Sequence, residues 1–420
     1  MSTITSISEW LDYENTRYCL PPARHDNPLE IHSEAPMRYR PGAPTYDLPL
    51  YRVDARLCQI FKSRSPNPEI EDYYFPKTDV LFPVHPVNLE SREILHITEI
   101  TQKYDCSITV NPTSSTRTVF VLERHLPIHC IKPHTDLHIT GRRRHMEVRK
   151  VAHAIAITKI FESCSVFSEN KKIGFFPESL GAIYGEGSTN DWGFVVREMR
   201  SKPHLEVPYT MIPLNALYTP SNRATGEPPL LVEIIQNSKS SPIEFILEEI
   251  IQPLIAGWID IYLETGVLLE PHGQNVIVEM DPDRNKILHF SHRDFECDIN
   301  GDILQSFLVE KGMHIEGLNP QDIFSGQGSA SAPKGLQISI IFDNSMKVPL
   351  DALAELGSRY FDIEPNLIRA RCHAFLKKNF PKLLRDHFPP DGSAYYFHKT
   401  SEGESIASRP PTWREANMHL

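Results

Sequence analysis

Short apolar runs separated by turn residues dominate the chain between about residues 79 and 139. Each run is long enough for one strand, and together they lie at 80–82, 94–97, 108–110, 119–122, 128–131 and 137–139. Turn-forming pairs such as Asn111-Pro112 stand between them. This pattern is typical of an antiparallel sheet. Apolar residues at largely helical spacing follow over 147–162, which predicts a helix packed on that sheet.

The clearest helix is predicted from Ser241 to the residue before Gly266. Ser241 is a suitable N-cap, Pro242 fits the first helical position, and Glu244 completes a capping box. Pro253 lies in the interior and should kink the helix, because it has no N–H to donate and its ring crowds the preceding turn. Gly266 should end the helix by adopting a left-handed conformation.

Two strands joined by a polar turn are predicted next, over 275–280 and 287–291. The many prolines before residue 80 predict an irregular segment, with one regular element around 53–60. We therefore expect an α+β fold of several lobes. Its predicted regions are 1–80, a β-rich part 81–240, a loop-bearing part 241–324, a Gly/Ser/Ala/Pro linker 325–335 and a helical part 336–420, whose tail after residue 389 should be loose.

Composition narrows the class of protein. The chain has 420 residues, of which 40% are hydrophobic and 23% charged, as in a soluble enzyme with two or three cores. Lys and Arg total 43 against 54 for Asp and Glu, so the net charge of −11 argues against general nucleic-acid binding. The seven cysteines are scattered without a CxxC pair, which argues against a disulfide framework or a cysteine-only zinc site.

No targeting or membrane segment is predicted. The N-terminus has neither a basic start nor an apolar core, so it does not match a signal peptide. The most apolar helical stretch, 250–263, contains Pro253 and Asp260 and is too short to span a bilayer. We therefore expect a cytoplasmic protein with no membrane partner.

Two polar clusters suit an anionic ligand. The first, Pro112–Thr118, offers hydroxyls, backbone N–H groups and the Arg117 guanidinium between two strands, and could cradle a phosphate. The second begins at Lys132 and continues through Thr140 to Arg144. On a strand, Lys132 and Thr140 would share one face, and further cations follow at a helix start. A polar turn and a solvated basic face are the alternative interpretations.

A third cluster suits a metal. Glu270, Asn275 and Asp294 offer the hard oxygen ligands that Mg²⁺ prefers, and His272 could contact a substrate oxygen. Two loops around a capped turn are the alternative. His134, four residues before another histidine on a strand, is more simply a satisfied or exposed residue. The chain has no Walker loop, no GxGxxG and no GxSxG.

Taken in order, these clusters resemble the siderophore synthetases that work without a nonribosomal peptide synthetase, the IucA/IucC family. The resembling segments are Phe82–Pro86 for "PxHPWQ", Pro112–Thr118 for "PTxSxRT", Lys132 to Arg144 for "KLxLxxxITxxxR", Glu270–Asn275 for "ExHxQN" and Arg293–Phe295 for "RDF", with Pro213–Leu217 as a weaker match. They cover about half of the chain, and five such motifs in order are a specific signal.

The resemblance implies a hand-like fold with an antiparallel β-sheet palm, distantly kinase-like, flanked by helices. It also implies ATP and Mg²⁺ as cofactors, with 81–240 binding ATP and 241–324 carrying metal and catalytic groups. A carboxylate of a citrate-like di- or tricarboxylic acid is adenylated, with release of pyrophosphate and later AMP. An amine or alcohol then displaces AMP to form an amide or ester, in siderophore or related secondary metabolism.

The resemblance also implies residue roles. The catalytic residues would be Lys132, Arg144 and His272. The ATP-binding residues would be Ser115, Arg117, Thr118, Lys132, Thr140, Arg144 and Gln274. The acid-binding residues would be His85, Thr140, Arg144 and His272. The metal would be held by Glu270, Asn275 and Asp294. If the cations are exposed, as phosphate ligands usually are, replacing Lys132 or Arg144 with alanine should abolish adenylation and leave the fold intact.

Departures from the family pattern concern the ends of the chain and the acid pocket. Val87 and Asn88 follow the His85-Pro86 pair where the family has Trp and Gln. The segment before His85 is short, which predicts a reduced N-terminal "fingers" region, and the C-terminal "thumb" should also be trimmed. The acid, the nucleophile and the product are left open, as is a homodimer.

Two other functions stay open. The run from His272 to Asn275 followed by Asp294 resembles the catalytic loop and metal aspartate of a small-molecule kinase, although Gln274 stands where a kinase needs an aspartate base. A non-catalytic relative is the third hypothesis. The nucleotide product distinguishes the ligase from the kinase, since the ligase releases AMP and a kinase releases ADP.

Overall fold

The structure is a computed structural model of the full chain. It describes residues 4, 7–17, 36–90, 106–139, 142–168, 171–185, 192–223, 226–324, 338, 341–387, 396–399 and 405–408. The predicted linker 325–335, the apolar run 94–97 and Thr140 lie outside these residues.

An eight-stranded sheet forms the centre of the first half of the chain. Its strands, in chain order, are β1 (Tyr46–Asp54), β2 (Cys58–Lys62), β3 (Asp79–Pro83), β4 (Cys106–Pro112), β5 (Val119–Val121), β6 (His129–Pro133), β10 (Glu178–Tyr184) and β11 (Trp192–Glu198). Their spatial order is β2-β10-β11-β6-β5-β4-β1-β3, and every neighbouring pair is antiparallel. The predicted antiparallel sheet is confirmed.

The helix predicted over 147–162 packs on this sheet as α4 (Val148–Phe161). Two glycines allow the close approach. A Cβ on Gly181 would lie 2.5 Å from the Val151 side chain of α4, and one on Gly193 would lie 2.9 Å from the same side chain. Ten of the fourteen α4 residues are buried, so this helix is held by its apolar surface rather than by capping, for which Glu147 provides no side-chain bond.

Residues before 80 are more regular than predicted. They contain α1 (Ile7–Thr16), β1, β2 and α2 (Pro68–Tyr74), so the expectation of an irregular segment is wrong. Pro49 lies inside β1, between β3 and β4. It is tolerated because its carbonyl accepts the Val84 N–H at 3.0 Å, a bond that requires no N–H from proline.

The second core is mainly helical. The helix predicted from Ser241 has the expected capping box and begins as α7 (Pro242–Glu244). It continues as a π-helical segment, Phe245–Ile251, and then as α8 (Gln252–Thr265), which ends at Gly266 with φ +77°. The predicted disturbance near Pro253 thus takes the form of a wider turn, which accommodates the missing donor.

The remaining elements complete this core and its edges. The helices are α3 (Pro86–Glu90), α5 (Leu214–Tyr218), α6 (Leu230–Asn237), α9 (Gly301–Lys311), α10 (Lys347–Phe361), α11 (Pro365–Asn379) and α12 (Pro381–His387). The strands are β7 (Thr135–Ile139), β8 (Arg142–Arg144), β9 (Ile173–Phe175), β12 (Thr210–Pro213), β13 (Val267–Leu268), β14 (Val276–Met280), β15 (Ile287–His292), β16 (Asp298–Asn300), β17 (Ile323–Phe324), β18 (Tyr396–Lys399) and β19 (Ser405–Ser408).

The predicted hairpin is confirmed as β14 and β15, which pair antiparallel within a four-stranded sheet of order β12-β14-β15-β9. The predicted C-terminal helices are present as α10 to α12, and the tail beyond them includes the paired strands β18 and β19. Within the described residues, no helix is both long and apolar enough to cross a membrane.

Three buried histidines predict an acid-sensitive fold. Burial lowers the pKa of His129 and His292 to about 4 and that of His134 to about 3. The unfolded chain, with a histidine pKa near 6.5, therefore binds protons that the folded chain does not, and stability falls as the pH drops from about 6.5 toward 4. Each histidine should contribute up to about 1.4 kcal/mol per pH unit in that window.

Urea unfolding at a series of pH values checks this expectation. We expect His292→Gln to reduce the slope by about one proton, because the buried Nε2 of His292 has no hydrogen-bond partner among the described residues. His314, whose side chain is 84% exposed, is the matched control. An equal reduction by His314→Gln would contradict the explanation.

Candidate active site

The Pro112–Thr118 loop between β4 and β5 is braced by its own hydroxyls. The Thr118 N–H donates to Ser115 Oγ at 3.0 Å, and Thr113 Oγ1 donates to the Thr118 carbonyl at 2.8 Å. Thr116 has φ +63°, a strained conformation for a β-branched residue. The loop is therefore held in one shape, and it presents Arg117 to a neighbouring cavity.

Four charged side chains, three of them buried and one partly exposed, lie at the centre of the site. Lys132 on β6 donates to Glu178 Oε1 at 3.1 Å and to Asp294 Oδ1 at 2.5 Å. Arg197 on β11 binds the same Glu178 oxygen at 2.6 Å and lies 4.0 Å from Asp294 Oδ1. Arg197 pairs across the strands with Cys130, two residues from Lys132, so both cations lie on one face of the sheet.

The four-charge cluster, Lys132, Arg197, Glu178 and Asp294, is neutral overall. Burial alone would raise the pKa of Asp294, but Lys132, Arg197 and Arg117 hold it below its usual range, so Asp294 is a carboxylate. Lys132 is only 3% exposed. The expectation that Lys132 is an exposed and easily removed cation is therefore wrong, since its removal would unbalance buried charge.

The Glu270–Asn275 loop lies next to Asp294. The Arg293 N–H donates to the Asn275 carbonyl at 2.9 Å, and Asn275 Nδ2 donates to the Glu270 carbonyl at 3.2 Å. Asp294 has φ +72°, a strained backbone of the kind found at functional sites. Its ion pairs both use Oδ1, which leaves Oδ2 for another cation.

This donor set suits Mg²⁺. Asn275 directly precedes the β14–β15 hairpin and Asp294 follows it, so an amide and a carboxylate supply hard oxygens at the same end of the hairpin, and the exposed Glu270 begins the loop that leads to Asn275. Magnesium favours a few carboxylate and amide ligands combined with water or phosphate oxygens, and a partly exposed Asp294 side chain, 29% accessible, leaves room for them. The residues present therefore fit the metal.

His272 is a neutral imidazole. Burial lowers its pKa to about 4, although Asp294 acts in the opposite direction. At pH 7 the ring can donate one hydrogen bond and accept another, and it adds no charge to the site. Gln274 in the same loop donates from Nε2 to Ser114 Oγ at 3.2 Å, which joins this loop to the Pro112–Thr118 loop.

A backbone contact fixes the position of this loop. A Cβ on Gly273 would lie 2.0 Å from the Tyr218 hydroxyl and 3.0 Å from the Asn215 Cα, and the Gly273 carbonyl accepts the Asn215 N–H at 3.0 Å. Asn215 and Tyr218 belong to α5, which carries the weaker Pro213–Leu217 motif. That motif therefore packs against the Glu270–Asn275 loop and holds it in place.

We expect Gly273→Ala to displace His272 and lower activity about tenfold or more, with a loss of stability of about 1–3 kcal/mol from overpacking. Turnover and thermal melts of the purified protein check this. Adding Tyr218→Phe should restore part of the activity, because it removes the nearest clash, and Tyr218→Phe alone is the control. Normal activity in Gly273→Ala would contradict the proposed close approach.

Glu14 on α1 connects the Pro112–Thr118 loop with the Glu270–Asn275 loop. It is 1% exposed, accepts hydrogen bonds from the Ser114 N–H at 3.1 Å and the Ser114 hydroxyl at 2.6 Å, and pairs with Arg293 at 2.6 Å. Arg293 in turn donates from Nε to the Gln274 carbonyl at 2.8 Å. One buried carboxylate therefore holds both motif loops.

His85 is buried, with both ring nitrogens engaged. Nδ1 accepts the Val87 N–H at 3.2 Å, so Nε2 carries the proton and donates to the Tyr46 hydroxyl at 3.1 Å. The side chain of Asn88, in the next turn, donates to the His134 carbonyl at 2.8 Å and accepts the Asp136 N–H at 3.2 Å. This "HP" segment thus braces the start of β7.

Arg144 ends β8, where it pairs with Thr135 on β7. It is partly exposed. Thr140, predicted beside it, lies outside the described residues.

The end of this hairpin is closed by side chains. His145 contacts Asp136 at 2.5 Å, and the His134 ring is stacked between Trp192 and His145. Three ligand atoms of His134, Asp136 and His145 lie close enough for a metal. However, His134 Nδ1 accepts the Met146 N–H at 3.3 Å, so the other nitrogen holds the proton, and the stacked rings direct their lone pairs into parallel planes. The hydrogen bond between His145 and Asp136 and the ring stack explain the cluster better.

A cavity of about 270 Å³ lies beside Arg117 and Lys132. Four cations line it, and they are Arg117, Lys132, Arg149 and Lys150. Glu296 and Asp322 are its acidic residues, so the lining has an excess of positive charge. An anionic ligand is favoured, because Arg149 and Lys150 belong to the first turn of α4, where the helix dipole also favours negative charge.

The structure brings most predicted residues together. Ser115 and Thr118 belong to the loop that presents Arg117, while Lys132, Asp294, Asn275, His272 and Gln274 are connected through the contacts above. Glu14, Glu178 and Arg197 were not predicted from the sequence. Glu178 and Arg197 were visible in the sequence as charges at the ends of apolar strands. A buried charge is costly unless it is paired, so each should have a partner, but the periodicity of the sequence does not identify that partner.

Comparisons with known proteins concern the family and the fold. The IucA / IucC family model matches residues 46–219. No curated protein matches the chain by sequence. Among solved structures, the petrobactin biosynthesis protein AsbB from Bacillus anthracis str. Sterne aligns with a TM-score of 0.69 at 16% identity, over 91% of this chain and 71% of that one.

Two aerobactin synthetases from a hypervirulent pathotype of Klebsiella pneumoniae share the fold. ATP-bound IucA aligns with a TM-score of 0.61 at 17% identity, over 85% of this chain and 66% of its own length. IucC gives 0.62 at 14% identity, over 90% and 72%. The family resemblance and the mixed α and β fold of these synthetases are confirmed, while the likeness to kinases stays a prediction.

Proposed function

Because this chain carries an IucA/IucC family segment on the fold of the siderophore synthetases, we propose that it is an ATP-dependent ligase. It adenylates one carboxylate of a citrate-like di- or tricarboxylic acid and transfers the acyl group to an amine or alcohol. The products are an amide or ester, AMP and pyrophosphate. The observation that carries this proposal is a cation-lined cavity to which two family-type segments contribute Arg117 and Lys132, with Lys132 also bonded to Asp294 of a third.

ATP would bind between the Pro112–Thr118 loop and the Glu270–Asp294 region. Arg117 reaches the cavity from a rigid loop and would bind the polyphosphate, with Ser115 and Thr118 beside it. Asp294 and Asn275, with Glu270 at the edge, would hold Mg²⁺, which supplies charge neutralisation for the departing pyrophosphate. Arg144 would bind a carboxylate of the acid together with Thr140, and His85 would shape that pocket through its own segment.

No strong base is needed for the first step. A carboxylic acid is already ionised at pH 7, so its oxygen can attack the α-phosphorus directly. This agrees with Gln274, which cannot act as a base and instead donates to Ser114. The neutral His272 can donate a hydrogen bond to the acyl or phosphoryl oxygen without repelling the neighbouring cations.

The nucleotide product tests the proposal. A panel of carboxylic acids is incubated with ATP, Mg²⁺ and labelled pyrophosphate, and the accepted acid is then supplied with amines and alcohols. We expect acid-dependent pyrophosphate exchange, followed by AMP in chromatography of the complete reaction. ADP without AMP would replace the ligase with a kinase, and absence of any turnover across the panel would favour a non-catalytic relative.

A further inference from the structure

Glu178 occupies a specially built position. It begins β10 at an irregular register, where the pairing with β11 shifts between Glu178 and Leu180. Its backbone is held by Thr158 of α4, which accepts the Glu178 N–H at 3.1 Å and donates to the Glu178 carbonyl at 3.0 Å. A β-bulge beside an active site commonly directs one side chain to a required place, and here it directs a carboxylate to Lys132.

A single oxygen of Glu178 binds two cations. Oε1 accepts from Lys132 at 3.1 Å and from Arg197 at 2.6 and 3.2 Å. The carboxylate is 0% exposed, so it cannot touch a substrate and must act through these partners. Arg197 neutralises most of its charge, which leaves Glu178 as a weaker, fixed second anion for the Lys132 ammonium.

Asp294 competes for the same ammonium. Lys132 lies 2.5 Å from Asp294 Oδ1 and 3.1 Å from Glu178 Oε1, and Asp294 is the more exposed of the two acids. A cation that binds Asp294 must weaken its bond to Lys132. The ammonium then needs another anion nearby, because an unpaired buried charge is costly.

We propose that Glu178 is a positioning residue that accepts Lys132 when Asp294 binds Mg²⁺. This inference rests on the proposed function for the identity of the metal and adds a residue that the family motifs do not contain. Glu178 holds the Lys132 ammonium in the site and shares it with Asp294. Asp294 therefore remains available to the metal. Arg197 sets how strongly Glu178 attracts Lys132.

The test is the Mg²⁺ dependence of ATP binding, measured by calorimetry without any acid substrate. In Glu178→Gln the side chain keeps its shape and loses its charge, so Lys132 should bind Asp294 alone. We expect the Mg²⁺ concentration for half-maximal ATP binding to rise about tenfold. ATP affinity at saturating Mg²⁺ should change by about twofold or less, since Arg117 and Lys150 remain.

Glu162→Gln is the matched control, because it removes another largely buried carboxylate, paired with Lys202 at 2.8 Å, at the far end of α4 from the cavity. It should lower the melting temperature without changing the Mg²⁺ dependence. If Glu178→Gln does not fold, Glu178→Gln/Arg197→Gln restores neutrality and should show the same shift. An unchanged Mg²⁺ dependence in either folded variant overturns the inference.

The two proposals fail in different ways. If wild-type protein forms ADP rather than AMP, the ligase is wrong while the Mg²⁺ shift in Glu178→Gln still supports the positioning role. If AMP forms but the shift is absent, the ligase stands and Glu178 is only a structural counter-ion. Wild-type ATP binding that is independent of Mg²⁺ would also overturn the role of Glu178.

Discussion

Lys132→Met should lower adenylation by about 10²–10³-fold, the size expected when one preorganised charged donor is removed from a transition state. Lys132 contacts both acids of the four-charge cluster. Without it, Glu178 retains Arg197, but the ion pair left to Asp294 among the described residues is the one with Arg197 at 4.0 Å. We therefore expect both slower chemistry and a lower melting temperature, rather than an intact fold.

Pyrophosphate exchange and thermal unfolding check this prediction on the same preparation. Lys171→Ala is the control, since Lys171 is 47% exposed and pairs with Asp260 on the surface. It should leave both measurements nearly unchanged, because exposed ion pairs contribute about 0–1 kcal/mol. Full exchange activity in a folded Lys132→Met protein would remove Lys132 from the catalytic residues.

Glu14→Ala should destabilise the protein by about 3–5 kcal/mol, because it leaves the Arg293 guanidinium buried without its carboxylate. Arg293 is 5% exposed, and Glu14 also accepts two hydrogen bonds from Ser114. Activity should fall further than stability alone explains, since both motif loops lose their common support. Chemical unfolding and ATP binding at a temperature where the variant is folded check the two parts.

Asp12→Ala is the matched control on the same helix. Asp12 is 51% exposed and pairs with Arg223 at 2.8 Å on the surface. It should cost less than about 1 kcal/mol. If Asp12→Ala and Glu14→Ala lost equal stability, the effect would come from α1 as a helix rather than from its buried carboxylate.

Local patterns predicted the elements whose causes are local. The capping box at Ser241, the stop at Gly266 and the β14–β15 hairpin depend on neighbouring residues, and each is present. Prolines misled the interpretation of residues 1–80, because Pro49 needs only its carbonyl in the sheet. A rule based on residue type cannot tell which backbone groups a strand position uses.

The residues of the site that belong to the sequence motifs were predicted, and those outside the motifs were not. Arg117, Lys132, His272, Asn275 and Asp294 were named from the sequence. In the structure Lys132 bonds Asp294 and lines one cavity with Arg117, while Asn275 bonds the His272 carbonyl and the Arg293 N–H. Glu178 and Glu14 were not named, because their partners are distant along the chain and come together only through the sheet order and the packing of α1. Such partners depend on tertiary pairing, which neither periodicity nor motif spacing encodes.

The docking of α1 also sets the order in which this protein can mature during synthesis. The contact between Arg284 and Tyr13 joins residues 271 positions apart, and the pair of Glu14 and Arg293 is similarly distant. Trp10 of α1 packs against Phe120, and the helix contacts β12, but its polar partners Arg284 and Arg293 are synthesised only later, with and after the β14–β15 hairpin. Closing so long a loop is slow, so the buried Glu14 carboxylate acquires its guanidinium partner late in folding.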